Sequence, residues 1–160
     1  MHLNYLAFFL ISFIPLIIGY LWYQPNNRIG RWAGEQTINP RELSFKQVLV
    51  CFVMSLTLIY GYINLIIHQM GFYELFFTDI MMGSEEAQII VDQFMSQYGD
   101  KHRHLGHGIF HGVINAFVFA LPFTTFYALL GGKGVKSVVY HLGYWIVTSA
   151  VIGGLIGAFV

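Results

Sequence analysis

The chain has 160 residues, no formal net charge at neutral pH, 56% apolar residues and only 10% charged ones. A soluble domain carries about a quarter of its residues charged, so this chain lacks the means to cover itself in water. A nucleic-acid surface is excluded as well, because the Lys and Arg residues are balanced by as many Asp and Glu and form no basic stripe.

In chain order, four apolar stretches remain once the charges are marked: residues 3–23, 47–67, 109–130 and 138–160. Each is near the 20 residues that cross a hydrocarbon core of about 30 Å, and in lipid each must be a helix to satisfy its own backbone. The predicted fold is therefore all-α: a polytopic membrane protein with four transmembrane helices, TM1 to TM4, bundled as one membrane domain over residues 1–160. TM1 lacks the basic start of a secretory signal and closes in Tyr20, Trp22 and Tyr23, an interfacial aromatic anchor, so it reads as retained. The lone cysteine, Cys51, lies in TM2 without a partner for a disulfide and reads as a small buried apolar side chain.

Arg28, Arg31, Arg41 and Lys46 lie between TM1 and TM2, and Lys133 and Lys136 lie between TM3 and TM4, six of the eight basic residues. The positive-inside rule puts these loops in the cytoplasm and both termini outside. The outer segment, 68–108, holds an aromatic-rich stretch suited to the headgroup region. It then has an amphipathic helix signature with Ser84 as N-cap, Glu85 and Glu86 in the first turn, and Ala87, Ile90, Val91, Phe94 and Tyr98 on one face. That apolar face must rest on the bundle, the lipid or another protein.

Pro15 in TM1 and Pro122 in TM3 predict two bends near the midplane. Polar stripes follow the helical period: Thr57, Tyr60, Asn64 and His68 on TM2, His111, Asn115, Pro122 and Thr125 on TM3, and His141, Tyr144 and Thr148 on TM4. Asn64, Asn115 and His141 are expected inside the bundle. On the opposite face of TM4, Ala150, Gly153, Gly154 and Gly157 form a small-residue groove with a GxxxG spacing, where TM1 or a helix of another protein could approach closely.

The histidines hold the chain's most unusual chemistry. With a helix starting near Asp100, His104, His107 and His111 share a face and His102 points away, while His68 ends TM2 at the same level. Imidazoles suit zinc or copper, so His68, His104, His107 and His111 form a candidate metal site. The expectation of no cofactor is held beside it. His141 starts TM4 at the other end, about 20 Å away, and cannot join.

Two segments resemble the DUF1761 family of small bacterial membrane proteins: NYLAFFLISFIPLIIGYLWYQPNNRIGRWAG at the start, and FHGVINAFVFALP with KSVVYHLGYWIVTSAVIGGLIGAF at the end. The shared signature is Leu21, Trp22, Tyr23, Gln24 and Pro25 followed by Arg28, Arg31 and Trp32. The resemblance covers all four helices, roughly two thirds of the chain. It finds no counterpart for the outer segment and departs at Gly131, Gly132, Lys133 and Gly134. It implies a four-helix protein of the bacterial inner membrane and supplies no catalytic residue.

From the residues themselves no acid, base and nucleophile can be placed together, so no enzyme is expected. The leading expectation is a protein that acts by association, as an accessory subunit of a membrane complex or a homo-oligomer, with lipids and other membrane subunits as partners. The alternative is a small transporter or metal- or proton-binding protein that uses the outer histidines.

Overall fold

The computed structural model describes residues 3–35 and 39–160, with the side chain of Arg41, one of the basic residues counted above, outside the described set. Four helical spans are long and apolar enough to cross a membrane: Tyr5–Trp22, Phe45–Ile66, Leu105–Leu130 and Val135–Phe159. The shortest, at 18 residues, extends about 27 Å at 1.5 Å per residue, close to the hydrocarbon thickness. TM3 starts earlier than hydropathy indicated and draws His107 into the span.

TM1 consists of α1 (Tyr5–Ile11) and α2 (Ile14–Trp22). The break falls where it must: Pro15 has no N–H to offer the Ile11 carbonyl, and its ring crowds that turn. The Ser12 hydroxyl donates to the Phe8 carbonyl at 2.9 Å beside the break. A short helix, α3 (Arg28–Ala33), is capped by the Asn27 side chain and stopped by Gly34 at φ 73°. TM2 is α4 (Phe45–Ile66), started by a capping box between Ser44 and Gln47.

Next come α5 (His68–Met81) and α6 (Glu85–Tyr98), a helical hairpin turned at Gly83 with φ 84°. The apolar face of α6 rests on α5: Ala87 and Val91 are buried, and the Phe72 and Phe94 rings stack at 3.7 Å between centroids. Gln69 ties the hairpin's ends together by donating to the carbonyls of Tyr98 and Lys101, both at 2.8 Å.

TM3 comprises α7 (Leu105–Asn115), a π-helical turn at Ala116–Ala120, and α8 (Leu121–Leu130). The turn surrounds Val118, whose carbonyl Pro122 cannot serve. Its extra residue rotates the buried face from Gly108, Gly112 and Asn115 to Thr124 and Ala128. Pro122 therefore lies exposed, and the stripe predicted to continue from His111 through Pro122 ends at Asn115.

TM4 is α9 (Val135–Phe159), the axis of the bundle, with TM1, α3, TM2 and TM3 all packed around it. One core joins Ile11, Ile59, Tyr62, Ile63, Ile66, Ile67, Ile152, Ile156 and Val160. Tyr62 reaches Ser149 across it at 2.7 Å. The register of TM2 follows this apolar core, so Tyr60 and Thr57 face outward, contrary to the stripe expected there, and Asn64 is half-buried. Cys51 is exposed rather than buried.

The small-residue face of TM4 also finds its partner within the chain, and the partner is TM3, neither TM1 nor a foreign helix. A Cβ added at Gly108 would collide with the Gly153 carbonyl, and one at Gly112 with the Ser149 carbonyl. A Cβ at Gly153 would strike the Gly108 carbonyl, and at Gly157 one would lie 2.8 Å from the His104 carbonyl. Ala150 lies in the same seam, its Cα 3.2 Å from a Cβ placed on Gly112, while Gly154 faces Ile109 and Leu105. TM3 carries its own glycines at the same four-residue spacing, so two small-residue ridges interlock and the backbones touch.

Candidate functional sites at the two ends of the bundle

The glycine seam fixes the register of TM3 on TM4, and TM2 packs beside it, which brings His68 to the start of TM3. Nitrogen atoms of His68, His107 and His111 all lie within 4.8 Å of one another. Their ring centroids are 5.3 Å apart for His68 and His107, 4.8 Å for His68 and His111, and 4.4 Å for His107 and His111. His107 and His111 are one helical turn apart on α7, while His68 sits just past the bend at Ile67 that separates α4 from α5.

His104 does not join them. The helix starts at Leu105 instead of near Asp100, and His104, in extended backbone at φ −153°, is its N-cap. Its Nδ1 accepts the His107 backbone N–H at 3.2 Å, which satisfies one of the first-turn donors that an N-cap exists to serve. The same later start overturns the placement of His102. That residue lies in a turn at φ 65° and stacks its ring on His107, with centroids 5.1 Å apart and planes 23° apart.

Polar atoms here are left over. Among the described residues, buried His107 Nε2, Asn115 Nδ2 and Asn64 Oδ1 have no hydrogen-bond partner. Asn115 lies one turn deeper than His111 on TM3, and Asn64 one turn deeper than His68 on TM2. An orphaned buried polar atom costs about 1–3 kcal/mol, so the histidine end holds hydrogen-bonding capacity, a donor on Asn115 and an acceptor on Asn64 among it, that the fold does not consume. Tetrahedral zinc at 2.0–2.1 Å from its ligands needs nitrogens roughly 3.4 Å apart. The three rings would have to close by an ångström or so, within reach of side-chain rotation.

The other end holds a second constellation, which the sequence did not single out. Glu35, in the TM1–TM2 loop, pairs with Lys133 Nζ at 2.6 Å, accepts a short hydrogen bond from Ser137, and lies 3.5 Å from His141 Nε2. The Tyr23 hydroxyl meets His141 Nδ1 at 3.1 Å. With the proton placed on Nε2, Tyr23 donates to Nδ1, while Nε2 faces the carboxylate at a distance too long for a full hydrogen bond and stays buried without a partner. Burial pushes the Glu35 pKa up, but the hydrogen bonds from Lys133 and Ser137 and the Lys133 charge outweigh it and hold the carboxyl below its ordinary range. Tyr23 is raised well above the usual phenol range, first by burial and then by neighbouring Tyr144, Tyr140 and Glu35.

Tyr140 donates to the Trp22 carbonyl at 3.0 Å and Tyr144 to the Pro15 carbonyl at 2.9 Å, so TM4 holds TM1 along α2. His141 thus lies inside the bundle's polar network, at the end opposite the other histidines. Glu35 and Ser137 escaped notice, since a lone loop acid and a single serine give no periodic signal, and Glu35's partner Lys133 is 98 positions away.

No family model matches the chain, and no curated protein or solved structure matches it.

Proposed function

We propose that the protein is a small multi-pass membrane protein that holds one transition-metal ion, zinc or copper, through His68, His107 and His111 at one mouth of its bundle. The observation that carries this reading is the approach of three imidazoles, two from TM3 and one from the start of α5, to within 4.8 Å, with His107 Nε2 buried and unpartnered. Three neutral imidazoles and no carboxylate form a donor set suited to borderline metals, with a fourth position left for water or an exchanging ligand. The basic loops at the opposite end favour an outward-facing histidine mouth by the positive-inside rule. Together with the resemblance to DUF1761, this supports placement in a bacterial inner membrane with the metal met from outside.

The test is elemental analysis of chain purified without chelator in mild detergent, followed by cobalt titration watched by its visible d–d bands. We expect one ion per chain, lost in His111→Ala and in His107→Ala but kept in His104→Asn, which preserves the cap. Absence of stoichiometric metal in the wild type, with no cobalt spectrum, would sink the reading.

Association with another membrane protein is a second reading, supported by Leu75, Met81 and Met82, more than two-thirds exposed on the hairpin outside the four spans. The TM4 glycines do not support it, being spent on TM3. A strictly monomeric chain in mild detergent with no co-purifying partner would count against association without touching the metal reading.

A further inference from the structure

At the end away from the histidines, TM1, TM2 and TM4 do not close on each other. They enclose a cavity of about 1040 Å³ that reaches from Glu35, Lys133 and His141 at the loops to Pro15 and Leu58. On TM1 the lining runs from Pro15 to Tyr23 and on TM2 from Val48 to Leu58. That is eight and ten residue-to-residue steps, or about 12–15 Å along the helix axes, the depth of one leaflet's hydrocarbon.

Ile17, Leu21, Val50 and Met54 line this space and are also exposed on the outer face of the molecule, so its mouth opens sideways toward lipid tails. The polar end is at headgroup level, since Glu35 and Lys133 both lie outside the spans. An apolar shaft one leaflet deep, open to the bilayer and closed by a charged pair at the interface, has the layout of a phospholipid.

The charges narrow the class. Glu35 and Lys133 are one acid and one base in contact, with Glu35 shielded and Lys133 Nζ partly open to solvent. A head with a lone negative charge would meet Lys133 but also the Glu35 carboxylate beside it. A zwitterionic head presents an ammonium on the Glu35 side and a phosphate on the Lys133 side, so neither member of the pair faces a like charge. We infer that this cavity is a binding site for one zwitterionic phospholipid of the bilayer, its acyl chain between TM1 and TM2 and its head on the Glu35–Lys133 pair.

The experiment reconstitutes the full chain in nanodiscs of equal parts phosphatidylethanolamine and phosphatidylglycerol, extracts it in mild detergent, and counts retained lipid by native mass spectrometry. Wild-type chain should keep one phosphatidylethanolamine, enriched several-fold over phosphatidylglycerol. Glu35→Gln, which leaves Lys133 without its acid, should swing the retained lipid toward phosphatidylglycerol. Leu58→Trp, which fills the shaft and leaves the head site intact, should abolish retention of either lipid while melting like wild type. Retention in the bulk ratio, a retained lipid unchanged by both variants, or capture of a neutral prenyl lipid from native membranes in preference to phosphatidylethanolamine would each overturn the inference.

Discussion

The two ends of the bundle are built from the same four helices and solve opposite problems. At the histidine end, glycines bring TM3 and TM4 into backbone contact, and His107, Asn115 and Asn64 keep buried polar atoms without partners. At the lysine end the side chains are large aromatics, and Tyr23, Glu35, Lys133, Ser137 and His141 form one polar network, with His141 Nε2 left 3.5 Å from the carboxylate and short of a full hydrogen bond. There the unfilled element is space. Close backbone packing leaves buried imidazole and amide atoms without a partner from the facing helix, while aromatic packing props helices apart and leaves a cavity rimmed by tyrosines. A candidate ion site and a candidate lipid site follow from these two modes of packing.

The sharpest way to break the comparison is to remove the close contact. Gly108→Ala places a methyl on the Gly153 carbonyl, so the helices must separate; we expect a loss of about 3 kcal/mol or more, the upper range for overpacking. Gly61→Ala, with open space around it, should be neutral or stabilising by up to about 1 kcal/mol through helix propensity. Denaturation in mixed micelles measures both, and equal effects would refute the seam.

A second expectation separates the ligands from the cap. His111→Ala should weaken zinc binding by at least about 100-fold, beyond the range for a residue that only supports a ligand. His104→Ala should instead cost about 1 kcal/mol of stability as a lost N-cap, with affinity changed far less. Comparable losses of affinity would make His104 a ligand after all.

Third, Tyr62→Phe removes the hydroxyl that meets Ser149 in the core. The cost should be about 1 kcal/mol, in the range of interhelical hydrogen bonds in membranes, and metal content should not change.

The smallest effect concerns pH at the lysine end. Glu35 has its folded pKa lowered through Lys133 and Ser137, so its stabilisation is complete above the unfolded carboxylate value and fades as pH falls through the folded one. Melting curves from pH 7 down to 3 should show an acid step in wild type that Glu35→Gln lacks. Groups remote from Glu35 are common to both proteins and cancel in the difference; His141, 3.5 Å from the carboxylate, does not. An identical step in the two would show that the Glu35 pair contributes nothing.

Much of the fold was legible because lipid imposes a coarse rule. Four apolar runs must be four helices, and Pro15 and Pro122 must perturb them, since each leaves the carbonyl four residues back without its N–H and the chain has to adjust locally around it. The helix signature from Ser84 was legible for a similar reason: caps and amphipathic spacing are local. The histidines stood out by density alone. Their roles did not, because His102, His104 and His107 take different parts according to whether α7 starts at Asp100 or Leu105, a difference of little more than a turn that moves one ring from the site to the cap and another onto it. The stripe through Pro122 failed for a related reason, since one extra residue in a π-helical turn rotates everything after it.

By itself, then, the sequence determined that this is a four-span helical membrane protein with a histidine-rich mouth and a basic opposite end, because hydrophobicity, proline and charge act residue by residue. Only the tertiary structure decided what touches what. It gave the TM4 glycines to TM3, set His68 beside His107 and His111, and brought Glu35 to Lys133 and His141. Those pairings depend on helix rotation and register, which many residues settle together through packing and no single segment encodes.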